Sequence, residues 1–110
     1  MSVTNGNVLW GLSSALADLP EQVNELVRGK SLRIEQITSL GHRSPDGFWY
    51  DQAEDEFVLL VAGAAQLLIE GQPLRHLTKG DWVHLPAHVK HRVEWTDPHT
   101  PTVWLAVFWT

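Results

Sequence analysis

The chain has 110 residues, no cysteine and a formal net charge of −5, a length that supports one hydrophobic core and not two. Without thiols, cysteine-ligated zinc, iron–sulfur clusters and thiolate nucleophiles are excluded, so any metal must be held by nitrogen and oxygen. No Lys/Arg cluster offsets the acidic balance, which excludes a nucleic-acid or anionic-membrane surface and leaves small molecules and proteins as partners. A hydrophobic fraction of 44% with six Trp and one Met indicates a folded, aromatic-rich interior.

The first thirty residues differ from the rest and are expected to form an arm, residues 1–30, ahead of a main body, residues 31–110. Residues 8–17 are fairly apolar and Ala15-Leu16-Ala17 imitates a signal-peptidase site, but no Lys or Arg precedes them, so a cytoplasmic location is expected. No apolar run is long enough to span a bilayer. Asp18-Leu19-Pro20-Glu21 is a helix-start signal, Val23, Leu26 and Val27 share one helical face and Gly29 supplies a stop, which predicts a short helix. So short a helix is not stable alone, and the arm is expected to pack with Trp10 and Leu12 against the body.

From Leu32 onward short apolar runs alternate with turn chemistry. Strands are expected over 32–39, 47–52, 56–62, 64–70, 73–77, 81–85, 91–96 and 102–109. The punctuation is Pro45-Asp46-Gly47, Gly71-Gln72-Pro73, Lys79-Gly80-Asp81, Pro86-Ala87-His88 and Asp97-Pro98. Such even spacing predicts an all-β sandwich or closed barrel. The last strand is apolar on both faces, with Val103, Leu105 and Val107 on one and Trp104, Ala106 and Phe108 on the other. One face belongs to the core, and the other must be covered by a second subunit, which is the favoured homodimer, or by the arm of the same chain.

The chemistry concentrates in residues 80–93, where a Gly-Asp turn, a short strand and a Pro turn place His91 at the start of the next strand. Gly80, Pro86 and His91 are spaced as in the second motif of the cupins, with His88 where glycine is usual. Of the first motif, Glu56 and Gly63 keep the family spacing, but the histidine positions hold Tyr50 and Gln52, or Trp49 and Asp51 in the longer spacing. The chain thus resembles a small single-domain cupin, and the resemblance covers roughly Leu32 to Trp109. It implies a cupin-type jelly-roll barrel, a double-stranded β-helix carrying a short N-terminal arm. The runs 47–52, 86–88 and 103–106 resemble a group of small bacterial cupins without a firmly assigned activity, so the fold alone does not name a reaction.

Most cupins hold a metal with three imidazoles and a carboxylate, which suits Zn, Fe, Mn or Ni. At the matching positions this chain offers His91 and Glu56. Gln52 supplies a weak carbonyl oxygen, Tyr50 binds only if deprotonated, and His88 lies a turn away as a substitute imidazole. The plainer alternatives are a hydrogen-bonded His91–Glu56 pair, an exposed His88 and a Tyr50–Gln52 hydrogen bond. Trp49 and Trp95 adjoin the proposed site and form either an aromatic wall for a flat ligand or part of the core. His84, His76 and His99 are assigned no role, and nothing in the spacing of His42 demands one.

Three functions follow. Loss of both first-motif histidines favours a pocket that binds a small polar or aromatic ligand with weak or no metal, lined by Tyr50, Gln52, Trp49, Trp95 and His88. The alternatives are a metal-dependent enzyme of dioxygenase, isomerase or lyase type, with Glu56, His91, His88 and Gln52 as ligands, and a metal-free enzyme with His91 as catalytic acid or base. In every case the side chains of Glu56 and His91 must converge inside one barrel.

Overall fold

A computed structural model describes residues 2–10 and 18–110. Eight strands follow one another: β1 (Gln22–Arg28), β2 (Leu32–Ser39), β3 (Asp55–Ala62), β4 (Ala64–Ile69), β5 (Arg75–Thr78), β6 (Trp82–Leu85), β7 (His91–Thr96) and β8 (Thr102–Trp109). They form a five-stranded sheet in the order β1-β2-β8-β3-β6 and a three-stranded sheet in the order β5-β4-β7. Every pairing is antiparallel. The two sheets face one another across a core of Val58, Leu60, Ala65, Leu67, Leu77, Trp104, Ala106 and Phe108. This is the jelly-roll barrel expected from the sequence. Among the described residues no helix is long and apolar enough to cross a membrane.

The expected helix before Gly29 is instead strand β1, paired to β2 from Gln22↔Thr38 to Arg28↔Arg33. The register shifts between Glu25 and Val27, so Leu26 is an extra residue that interrupts the alternation. Val23 therefore sits opposite Ile37 while Val27 sits opposite Ile34, and a bulged strand imitates the spacing of a helical face. The pairing wins because β2 satisfies a whole row of β1 backbone groups, whereas a helix this short lacks the length to sustain itself. Leu12 and the signal-like Ala15-Leu16-Ala17 lie outside the described residues.

The strand expected over 47–52 is also absent. Only Tyr50 pairs, as an isolated bridge to His91, with Tyr50 N–H donating to the His91 carbonyl at 2.7 Å and His91 N–H to the Tyr50 carbonyl at 3.1 Å. The carbonyls that precede it turn to a side chain instead. The buried Arg92 guanidinium donates to the carbonyls of Ser44, Pro45 and Phe48, so an ordered loop stands where a ladder was expected.

Strand β8 lies between β2 and β3, at the centre of the five-stranded sheet. Trp104, Ala106 and Phe108 enter the core, and Leu105 and Val107 lie on the outer face, partly exposed. Part of that outer face is met by the chain's own N-terminal segment, where the Gln36 amide donates to the carbonyls of Val8 and Trp10.

Gly63 carries the chain from β3 to β4, and so from one sheet to the other, with φ of +87°. A Cβ built there would lie 2.5 Å from Thr102 Oγ1, 2.6 Å from Thr102 Cα and 2.8 Å from the Pro101 carbonyl oxygen. Only glycine fits both the backbone conformation and the contact.

Candidate functional site

Between the sheets lies a cavity of about 270 Å³, and the period-two alternation of the strands decides what lines it. Strand β2 contributes Arg33, Glu35 and Ile37, β3 contributes Glu56 and Val58, β7 contributes His91 and Val93, and β8 contributes Trp104 and Phe108. Leu67 and Leu85 close the apolar floor, Tyr50 and Gln52 enter from the loop, and Glu21 and Val23 come from the β1 end.

Glu56 and His91 converge, as the sequence requires. They are 9% and 5% exposed, and His91 Nε2 lies 3.5 Å from Glu56 Oε1. The other ring nitrogen, Nδ1, is 2.9 Å from the Val89 carbonyl oxygen. A carbonyl only accepts, so Nδ1 carries the hydrogen and Nε2 is the atom turned toward Glu56. Gln52 Nε2 donates to the same carboxylate oxygen at 3.0 Å, and the Tyr50 ring stacks on the imidazole with centroids 5.3 Å apart.

The charges respond to this geometry. Burial alone lowers the His91 pKa, but the hydrogen bond and charge of Glu56 and the Val89 carbonyl outweigh it, so the net shift is upward. The Tyr50 pKa is raised by burial and then by the charges of Glu21 and Glu56. Tyr50 is therefore kept as a phenol, the form that donates a hydrogen bond and does not serve as a phenolate ligand.

Arg33 is the cation of the lining. Its Nη1 donates to both oxygens of Glu54, at 2.5 Å to Oε2, and its Nε donates to Glu35 at 3.2 Å. The guanidinium carbon stands 4.0 Å from the centre of the Phe108 ring. Glu21 accepts from the Ser39 hydroxyl.

Three residues expected at the site lie elsewhere. His88 has a side chain that is 70% exposed and places Nδ1 2.8 Å from Asp51 Oδ1. Its φ is +67°, which accounts for glycine being usual in this position of the motif. Trp49 lies outside the cavity lining and has its ring 5.9 Å from the Arg92 guanidinium carbon. Trp95 shares a strand with His91 but not its face. The register shift opposite Gln66 and Leu67 leaves Glu94 as an extra residue, so Trp95 turns outward and is 39% exposed. His42 ties loops together, accepting from Leu40 N–H and approaching the Leu19 carbonyl at 2.5 Å; it does not line the cavity.

Glu21, Arg33, Glu35, Trp104 and Phe108 are lining residues that the motif-based reading missed. The signal for two of them is present in the sequence, because Arg33 and Glu35 alternate with Ile34 and Gln36 on a strand flanking the most apolar one. A charged face beside such a strand marks a polar wall inside a barrel as well as it marks solvent.

The donors present do not fit a tightly held divalent metal. Among the described residues no group of three or more His, Cys, Asp or Glu is placed to hold one ion. The convergent set is one imidazole, one carboxylate and one carboxamide, short of the two further imidazoles that the first motif would bring.

A family model described as Cupin domain matches residues 39–108. Among solved structures, a protein of Ralstonia eutropha JMP134 provisionally named a mannose-6-phosphate isomerase is 44% identical, over 97% of this chain and 98% of its own, with a TM-score of 0.89. A cupin superfamily protein of Desulfitobacterium hafniense DCB-2 has a TM-score of 0.76 at 16% identity, over 99% of this chain and 94% of its own. The DMSP lyase DddQ of Ruegeria pomeroyi DSS-3 has a TM-score of 0.64 at 24% identity, over 82% of this chain and 47% of its own. Likeness at the last two levels shows the fold alone. No curated protein matches the chain. With the family model spanning most of the barrel and a full-length relative at 44% identity, the chain belongs to the cupin family.

Proposed function

We propose that this cupin is a binding protein for a small organic ligand, held in the barrel cavity without a tightly bound metal. The observation that carries the reading is the pairing of Glu56 and His91 at 3.5 Å beside an apolar floor of Val58, Leu67 and Leu85. A few convergent polar groups on an otherwise apolar, concave wall are the usual form of a small-molecule site. Gln52 and Tyr50 supply further polar contacts at the loop side, and the rings of Trp104 and Phe108 supply flat apolar surface.

A second reading, metal-free acid–base catalysis by His91, is favoured by one detail. Val89 fixes the ring through Nδ1, so Nε2 is presented to the cavity beside a carboxylate that can orient it, as an acid or base requires. The name of the Ralstonia relative brings a phosphosugar isomerase into view. The cation that would meet a phosphate, Arg33, is instead occupied by Glu54 and Glu35, which weighs against that substrate.

The protein is read as cytoplasmic, in keeping with a chain that has no cysteine to oxidise, and as a homodimer through the outer face of the five-stranded sheet. Phe57, Leu59, Leu105 and Val107 are partly exposed there, and an apolar sheet face of this kind is more stable covered.

The pocket reading is tested by calorimetric titration of untagged, chelator-treated protein with 2-phenylethanol and with mannose 6-phosphate. Binding of the alcohol that survives chelation and disappears in Val93→Trp, which fills the cavity, is the expected result. Alcohol binding that persists in Val93→Trp, or tight binding of the phosphosugar only after metal is restored, would overturn the reading.

A further inference from the structure

The charge balance of the cavity narrows the class of ligand. Three carboxylates, Glu21, Glu35 and Glu56, line it against one guanidinium, Arg33, which leaves an excess of two negative charges with His91 neutral and of one with His91 protonated. The guanidinium is not free to meet an anion, since Glu54 takes it through both carboxylate oxygens and Glu35 takes it from a second side. Glu21, by contrast, receives a neutral hydroxyl from Ser39, so its charge stays uncompensated at that contact.

The hydrogen-bonding capacity has the same bias. A carboxylate offers about four acceptor sites, and the Glu56 oxygens receive a single short hydrogen bond, from Gln52 at 3.0 Å. His91 Nε2 faces the same carboxylate from 3.5 Å, at the long limit of a hydrogen bond. A carboxylate whose side chain is only 11% exposed thus keeps acceptor capacity free in a largely apolar cavity, and a ligand rich in N–H donors completes it. An ammonium brings three donors and a positive charge in one group. The aromatic walls suit the same group, because the face of an aromatic ring attracts a cation. Arg33 already uses this attraction on Phe108, while Tyr50 and Trp104 also line the cavity.

We infer that the cavity takes a small primary ammonium compound with an apolar or aromatic body, the ammonium on Glu56 at the Tyr50 side and the body against Trp104, Val58 and Leu67. The inference rests on the pocket reading above and adds the sign of the ligand's charge to it. The Tyr50 phenol is shifted upward by burial first and then by the charges of Glu21 and Glu56, in keeping with negative potential at that side.

The test uses three probes of similar shape and different charge: 2-phenylethylammonium, 2-phenylethanol and phenylacetate. Each is titrated into the full chain at pH 7 while the indole N–H of Trp104 is followed by NMR, its signal assigned through Trp104→Phe. The ammonium is expected to bind about tenfold more tightly than the alcohol, with phenylacetate weakest. Glu56→Gln, and separately Glu21→Gln in case the buried change disturbs folding, should remove most of that advantage, so that the ammonium binds no more tightly than the alcohol does to the same variant. Added salt should weaken the ammonium and not the alcohol. If the alcohol or phenylacetate binds as tightly as the ammonium, the ammonium assignment is wrong and the pocket reading stands. If no probe moves the Trp104 signal, the pocket reading itself fails and the inference fails with it.

Discussion

Replacing Gly63 by alanine should be the most damaging single-methyl change in this chain, and its cost divides into two parts that the structure separates. The backbone at Gly63 has φ of +87°, a conformation that costs an L-residue about 1–2 kcal/mol. The added Cβ would also lie 2.5 Å from Thr102 Oγ1 and 2.6 Å from Thr102 Cα. The neighbouring strand cannot yield cheaply, because the same hydroxyl donates to the Ala64 carbonyl at 3.1 Å and accepts from Ala64 N–H at 3.3 Å. Such overpacking adds about 1–3 kcal/mol, for a total of about 2–5 kcal/mol and a fall in Tm of at least ~8 °C. Gly71 and Gly80 provide the controls. Their φ values are +78° and +92°, with nothing within 4 Å of an added Cβ, so their alanine variants bear the backbone cost alone. Urea unfolding of the three variants should therefore place Gly63→Ala at least about 1 kcal/mol below the other two. If Gly63→Ala matches Gly71→Ala within about 0.5 kcal/mol, the close approach of β3–β4 to Thr102 is not what fixes this corner.

The His91–Glu56 pair gives a pH test. With Glu56→Gln, burial and the Val89 carbonyl remain, and burial is the larger of the two, so the His91 pKa measured by NMR should fall from above 6.5 to below it; a value that stays above 6.5 would contradict the pairing. Because the folded pKa is raised, the stabilisation from the pair is complete below pH 6.5 and is lost as pH rises through the folded value. The Tm difference between wild type and Glu56→Gln should accordingly shrink toward alkaline pH. His88→Gly relieves a positive φ and loses an exposed contact with Asp51 worth at most ~1 kcal/mol; stability should change by no more than about 1 kcal/mol with cavity binding intact, and loss of binding would place His88 in the site after all. Leu105→Lys, on the outer face of β8, should convert a dimer to a monomer in sedimentation velocity, and a wild-type monomer would leave that face to the chain's own N-terminal segment.

How much of this was legible in the sequence depends on which kind of pattern was involved. Strands β2, β7 and β8 match their expected bounds because turns and long apolar alternation enclose them, and the convergence of Glu56 with His91 follows from motif spacing. Two of the failures lie at a break in the alternation. One extra residue at Leu26 turned a strand into an apparent helical face, and one at Glu94 turned Trp95 away from the cavity that His91 and Val93 enter. Register shifts depend on what pairs across the sheet, which a single strand does not carry. The loop at 47–52 depends likewise on groups far along the chain, since the Phe48 carbonyl accepts from Arg92 and those of Tyr50 and Gln52 accept from the backbone of His91 and His88. Glu21, Arg33 and Glu35 escaped notice because a charged face gives the same local pattern beside a cavity as beside water.

An organic-ligand pocket is distinguished from a tightly held metal site by metal analysis of untagged protein equilibrated with Zn, Fe, Mn and Ni and then dialysed. Far less than one metal per chain is expected, with no difference between wild type and His91→Ala. Near-stoichiometric metal that disappears in His91→Ala would contradict the pocket reading.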